Sequence, residues 1–221
     1  MPKVPHRQEI EIKLRVKNLD ALHLRLKKLH AKEISPRTHE SNTLYDTPRQ
    51  QLRRRGQLIR VRTERPASRQ KKQHSVEKFA AVLTYKGPTR SRRASHNRPA
   101  SKIRTHFKIK DEAEVRVAEA RELSTILLAL GLRPGFRYEK FRTTYVFPGL
   151  PQLKVELDET PVGVYLELEG PVTSIDRGAR LLGYDREDYL KDSYGSLYLA
   201  ECKRHGRKPG NMLFPPTKKL Q

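Results

Sequence analysis

The chain sets charged against apolar residues in alternation, segment after segment. Residues 9–14 read Glu-Ile-Glu-Ile-Lys-Leu. Successive side chains of a β-strand point to opposite faces. Such a segment carries Glu9, Glu11 and Lys13 on one face and Ile10, Ile12 and Leu14 on the other. The parity recurs six times. Arg60 and Arg62 stand against Ile59 and Val61, and Thr84 and Lys86 against Leu83 and Tyr85. Glu112, Glu114 and Arg116 oppose Ala113, Val115 and Val117, while Lys140 and Arg142 flank Phe141. Lys154, Glu156 and Asp158 oppose Val155 and Leu157; Glu167 and Glu169 oppose Leu166 and Leu168. At least seven strands are expected. No regular strand–helix–strand repeat separates them, which favours a mainly antiparallel sheet.

An open sheet would put these charges on its wet face, paired across strands. Their composition and grouping argue otherwise. A solvent face mixes in Ser, Thr, Asn and Gln, whereas these positions are nearly all ionisable. Like charges also sit together: on these strands Glu-x-Glu occurs three times, and Arg-x-Arg and Lys-x-Arg once each. Adjacent like charges repel, so the grouping points to a counter-ligand. Carboxylate pairs suit divalent cations, which take oxygen ligands. Lys and Arg suit phosphate oxygens, Arg by two parallel hydrogen bonds. Closing the sheet into a barrel turns the charged faces into a lumen. The apolar faces then point outward and need helices to cover them. Acids beside bases in one lumen imply a polyphosphate carrying its metal ion.

Helices fit between the strands. Leu19, Leu22, Leu26 and Leu29 fall at helical spacing in residues 19–31, with Asp20 near the start. Residues 118–131 form a second amphipathic helix, stopped by Gly131. A third starts at Ser174 as N-cap and ends at Gly183. A fourth lies within residues 186–204. A turn is expected at Asp46-Thr47-Pro48 and a break at Gly56.

The 221 residues carry a formal net charge of +22. Residues 65–110 hold fourteen Lys or Arg and one acid, Glu77; residues 203–221 hold six and none. The remainder is close to neutral, so the basicity belongs to an insert near 65–105 and to a tail. Residues 90–100 are basic, aperiodic and contain Ser and Pro, which reads as a mobile loop. One domain is expected over 1–204, followed by a disordered tail over 205–221. The single cysteine, Cys202, excludes an internal disulfide framework and suits a reducing compartment. The N-terminus lacks the apolar core of a signal peptide, and no run approaches a membrane span. A cytoplasmic protein without membrane contact is expected, with monomer and homodimer both open. No zinc-spaced Cys/His cluster, Gly-x-Gly-x-x-Gly or Walker loop occurs.

The order of the motifs resembles a known family. Glu-x-Glu-x-Lys is followed by Tyr-Asp-Thr-Pro (45–48), Arg-x-Arg (60–62), Leu-Thr-Tyr-Lys-Gly-Pro (83–88) and Glu-x-Glu (112–114). Then come Lys-x-Arg (140–142), Leu-Asp-Glu-Thr-Pro-Val-Gly-Val-Tyr-Leu-Glu-Leu-Glu-Gly (157–170) and Ser-Tyr (193–194). This series, from about Glu9 to Ala200, is similar to the CYTH superfamily. These are the triphosphate tunnel metalloenzymes, which include class IV adenylyl cyclases and thiamine triphosphatases. The resemblance implies an α+β fold, a closed eight-stranded antiparallel β-barrel with helices packed on its outside. Its tunnel would bind a small-molecule triphosphate (ATP, thiamine triphosphate or inorganic triphosphate) with Mg2+ or Mn2+. By the same resemblance Glu9, Glu11, Glu167 and Glu169 are metal ligands or orienters, assisted by Glu112, Glu114 and Asp158. Lys13, Arg60, Arg62, Lys86 and Arg142 hold the phosphates, and Lys140 is a further candidate. Glu9, Glu11 and Lys13 form the implied catalytic set. Lys203 is read as a surface lysine. Tyr194 either packs the C-terminal helix onto the barrel or reaches the tunnel.

Attack by a ribose 3′-hydroxyl on the α-phosphorus would make the enzyme a cyclase; attack by water on the terminal phosphorus would make it a triphosphatase. The cyclase reading, ATP to cyclic AMP and pyrophosphate, leads slightly. The rival from another class is a nucleic-acid or polyphosphate binder, because the insert and tail attract any polyanion. Eight carboxylates on the charged faces weigh against it, since they repel nucleic acid unless metal ions occupy them. The two basic segments also lack the interleaved aromatics of single-strand binders.

Overall fold

The computed structural model describes residues 7–67, 81–89 and 106–215. Its strands are β1 (Arg7–Val16), β2 (Lys32–Asp46), β3 (Leu58–Pro66), β4 (Ala81–Lys86), β5 (Lys108–Val117), β6 (Arg133–Phe147), β7 (Leu150–Thr160) and β8 (Gly163–Glu169). They close into a barrel in the order β1-β5-β4-β3-β2-β6-β7-β8, every neighbouring pair antiparallel. Closure removes the unpaired edges of an open sheet. Outside it lie α1 (Leu19–Lys28), α2 (Gln51–Arg54), α3 (Ala120–Ala129), α4 (Val172–Leu182) and α5 (Tyr194–Arg204). The expected α+β barrel is the observed one. The mobile loop expected at 90–100 lies outside the described residues, as does most of the basic insert.

The hydrophobic core sits between the barrel wall and the helices. Ile12 and Leu14 of β1, Leu153, Val155 and Leu157 of β7 and Leu166 and Leu168 of β8 are all buried outward. Leu22 and Leu26 of α1 and Ile175, Ala179 and Leu182 of α4 cover them. Burying each such side chain contributes about 1.5–3 kcal/mol. Contact at α4 is so close that a Cβ on Gly178 would lie 2.2 Å from Leu153 Cδ2. The helix ends at Gly183, whose φ of 90° suits glycine at a left-handed C-cap. On the opposite wall Leu123 and Leu127 of α3 pack on Tyr45, Val61 and Ala81. β1, β7 and β8 therefore turn their apolar parity to the helices and their charged parity inward. Among the described residues no helix is long and apolar enough to cross a membrane.

Three local readings need correction. β2 occupies residues for which no strand was expected. The helix expected within 186–204 is present as α5, and upstream of it Leu190 exchanges two backbone hydrogen bonds of 2.9 Å with Lys13, which holds that stretch extended along β1. α5 starts only at Tyr194, where the Ser193 side chain accepts from Ser196 N. α4 starts at Val172 behind Pro171, so Ser174 lies in its first turn and is not the cap. The tail does not begin at 205. Met212 is buried against Tyr138, Tyr165 and Tyr194, and its backbone bonds Arg137 and Glu139 of β6. Its bridge to β6 is parallel, alongside the part of β6 that precedes its β7 pairing. The turn at Asp46 is observed, and the Asp46 carboxylate accepts from the backbone N–H groups of Thr47, Leu52 and Arg53.

Candidate active site in the barrel lumen

A cavity of about 500 Å³ runs inside the barrel, with nine acidic and nine basic side chains in its lining. Twelve of the thirteen expected site residues line it: Glu9, Glu11, Lys13, Arg60, Arg62, Lys86, Glu112, Glu114, Lys140, Arg142, Glu167 and Glu169. The thirteenth, Asp158, is fully buried in the wall beside them. Arg116, of the same parity on β5, is exposed and does not line the cavity.

On the β1–β5–β4 side the carboxylates are held by lysines. Lys86 Nζ lies 2.5 Å from Glu9 and 3.4 Å from Glu112. Glu11 bonds Lys108 and lies 3.5 Å from Lys13, which pairs with Glu167 at 2.8 Å. Burial raises the carboxyl pKa of Glu11, but Lys13 and Lys108 outweigh it and hold it well below the usual range. The Lys13 ammonium, opposed by burial and favoured by Glu11 and Glu167, is held above the ordinary lysine range.

The β6–β7–β8 side is organised by Arg142. Its guanidinium bonds Asp158 at 2.6 and 2.5 Å, Glu156 at 2.5 Å and also Glu167. Lys140 reaches Asp158 at 2.9 Å and Glu40 at 3.4 Å. Tyr194 takes both of its expected roles: its ring packs α5 against Tyr138 and Tyr165 of the barrel, while its hydroxyl donates to Asp158 at 2.6 Å and it lines the cavity. Burial raises its pKa well above the ordinary phenol value, and Asp158 adds to this. On β3, Arg60 donates to Thr84 at 3.1 Å and lies 3.3 Å from Glu114.

Six charged lining residues were outside the expected site: Arg7, Glu40, Glu64, Lys108, Lys154 and Glu156. Glu40 of β2 is 3% exposed and lies among Lys140, Arg142 and Arg62. Against burial, those three cations pull its pKa down to about 2. Lys108 shares the parity of Glu112 and Glu114, a signal present in the sequence.

Glu112 differs from its neighbours. Burial raises its pKa, Glu9 and Glu114 add to this against Lys86, and the result is about 7. A raised carboxyl pKa favours the folded state below the ordinary value of 4.5, and that contribution is lost as pH rises through about 7. The ligand-free protein is therefore expected to show a Glu112 carboxyl midpoint near 7 in a carbon-13 NMR titration. Glu112→Gln should remove the matching stability slope between about 4.5 and 7. A midpoint in the ordinary carboxylate range would contradict this geometry.

The sequence profile of the CYTH domain matches residues 7–194, most of the chain. The chain belongs to the CYTH family. A Vibrio parahaemolyticus protein provisionally assigned as an adenylate cyclase superposes with a TM-score of 0.66 at 18% identity, covering 87% of this chain and 98% of that one. The PH1819 protein of Pyrococcus horikoshii OT3 gives 0.64 at 20% identity, covering 87% and 99%. A provisionally assigned adenylyl cyclase from Hippeastrum, described as having a dominant triphosphatase activity, gives 0.51 at 19%, covering 91% and 97%. No curated protein matches. At these identities the structural likeness shows a shared CYTH barrel, and the CYTH profile match runs from the start of β1 to Tyr194.

Proposed function

We propose that this CYTH protein is a divalent-metal-dependent enzyme that holds a small-molecule triphosphate in the barrel and breaks one of its phosphoanhydride bonds. The leading reading is adenylyl cyclase-like, ATP to cyclic AMP and pyrophosphate. One observation carries it: the barrel cavity is lined by nine bases and nine acids. A triphosphate brings about four negative charges, which the lumen cations can compensate by releasing their carboxylate partners.

The carboxylates fit a hard cation by donor type, all being oxygen. Glu11 and Glu169 lie directly opposite each other on β1 and β8, and Glu9 is two residues along the same face. Among the described residues no three His, Cys, Asp or Glu are placed as a metal-binding group, and lysines hold the acids instead. Lys86 and Lys108 would move to phosphate oxygens as Glu9, Glu11 and Glu169 take Mg2+ or Mn2+. When bound, such an ion supplies neutralisation of charge on phosphate oxygens. Arg60, Arg62, Lys140 and Arg142 clamp the phosphates from the opposite wall. Arg142 enters this role already oriented by Asp158 and Glu156.

A second reading, triphosphatase, is favoured by the dominant triphosphatase activity described for the Hippeastrum protein. The test is product analysis with ATP, thiamine triphosphate and inorganic triphosphate in Mg2+ or Mn2+. Cyclic AMP with pyrophosphate supports the first reading, and release of inorganic phosphate the second. No turnover of any of them, with tight salt-sensitive binding of RNA or polyphosphate, would overturn both.

A further inference from the structure

One polar side chain on the tunnel face of the barrel has no partner among the described residues. Asn42 is 0% exposed, and neither its Nδ2 nor its Oδ1 makes a hydrogen bond. It lies on β2 between Glu40 and Leu44, two residues that share its parity and line the cavity. Its register partners are Arg62 on β3 and Tyr138 on β6. A buried amide left unpartnered destabilises a fold, whereas an apolar residue of the same shape there can be neutral or stabilising. No hydrogen bond among the described residues calls for an asparagine at this position.

The surroundings say what could use it. Leu44, Leu58, Phe136 and Tyr138 make the lining apolar and aromatic at the ends of β2, β3 and β6 next to α5. Phe136 and Tyr138 stack with ring centroids 5.9 Å apart and 23° between planes. A flat organic ring fits an apolar wall carrying one directed polar group. The Asn side chain presents a donor and an acceptor side by side. A phosphate oxygen can use only the donor, while an aminated aromatic heterocycle uses both.

Arg60 reaches across to the Tyr138 side of this wall. β3 and β6 are the two neighbours of β2, and the Arg60 guanidinium lies 3.4 Å from the Tyr138 hydroxyl. That contact crosses the tunnel face of β2. It is long, and the Arg60 Nε is itself unpartnered.

We propose that Asn42, with the Leu44–Leu58–Phe136–Tyr138 wall, is the subsite that selects a triphosphate bearing an aminated aromatic heterocycle over inorganic triphosphate. This rests on the triphosphate reading above and deepens it.

The experiment is calorimetric binding of a non-hydrolysable ATP analogue and of inorganic tripolyphosphate to the full-length protein and to Asn42→Leu. The wild type is expected to prefer the ATP analogue. Asn42→Leu is expected to lower the ratio of the two affinities about tenfold, with a melting temperature equal to or above the wild type. Asn42→Ala should lower the ratio similarly. A ratio unchanged in both variants overturns the subsite while leaving the triphosphate reading intact. Both affinities falling in proportion, with a lowered melting temperature, shows a structural asparagine and overturns it too. Failure of the wild type to bind either probe overturns this inference together with the triphosphate reading.

Discussion

Arg142→Ala is expected to be the most destabilising single substitution in the lumen, by about 3–5 kcal/mol, because removing one member of a buried ion network leaves its partners uncompensated. The guanidinium is 12% exposed and lies against Asp158, Glu156, Glu167 and Glu40. Burial opposes its charge, but Asp158 first, then Glu156, Glu40 and Glu167, hold its pKa well above the ordinary value. The loss is bounded because each carboxylate keeps another partner. Asp158 retains Lys140 and Tyr194, Glu156 retains Lys154, and Glu167 retains Lys13. Burial already raises the pKa of Glu156, and losing Arg142 raises it further. The variant therefore binds protons more readily than the wild type, so the stability gap should narrow as pH falls from 7 towards 4. Arg142→Lys restores the charge but not the two-pronged bonding, and recovers part of the loss. Urea denaturation at both pH values measures all of this. A loss below about 1 kcal/mol at pH 7 would show that the network reorganises around the gap.

What the sequence made legible follows one physical rule. A strand that must pack helices on one side and water-filled, charged space on the other shows a clean period of two. β1, β5, β7 and β8 have this property, and their inward and outward faces could be assigned before any coordinates. Like-charge grouping pointed to a counter-ligand, because Glu9 with Glu11 and Arg60 with Arg62 make poor neighbours on an open surface; the closed eight-stranded barrel came from the family resemblance.

β2 was not legible, for the same reason inverted. It has Thr38, Glu40 and Asn42 inward and His39, Ser41 and Thr43 outward, so neither face is apolar. Its place is fixed by its ladders to β3 and β6, long-range pairings that local sequence does not carry. Glu40 and Asn42 were lost with it. Residues 205–215 failed differently. Their basic, Gly- and Pro-rich composition reads as unstructured, yet one apolar residue, Met212, fills a gap among three tyrosines and anchors the stretch. The tunnel end of α5 was half legible: the late Ser-Tyr stands out in the sequence, but the fully buried Asp158 that receives the tyrosine hydroxyl lies 36 residues away.

Glu9→Gln and Glu169→Gln are each expected to reduce metal-dependent turnover about a hundredfold or more, since even the outer partners of metal ligands cost 10–100-fold when removed. Both should stay folded. In Glu9→Gln the Lys86 ammonium keeps Glu112, now 3.4 Å away, as its counter-ion. In Glu169→Gln the cations left behind are Lys154, which retains Glu156, and Arg7, which is largely exposed. Neither substitution strands a buried charge, which separates them from Arg142→Ala. The two variants also test different strands of one cluster, because Glu169 faces Glu11 across the β1–β8 ladder. If both residues serve a bound cation, the turnover that remains should need more Mg2+ or Mn2+ for half-saturation, while tripolyphosphate binding in the absence of metal should be undiminished or stronger. That last sign follows from electrostatics: each variant deletes a negative charge from a cavity that takes an anion. Turnover unchanged in both variants would remove the acidic cluster from the site. Turnover lost with an unchanged metal requirement would leave Glu9 and Glu169 as positioning residues for Lys86 and Lys154.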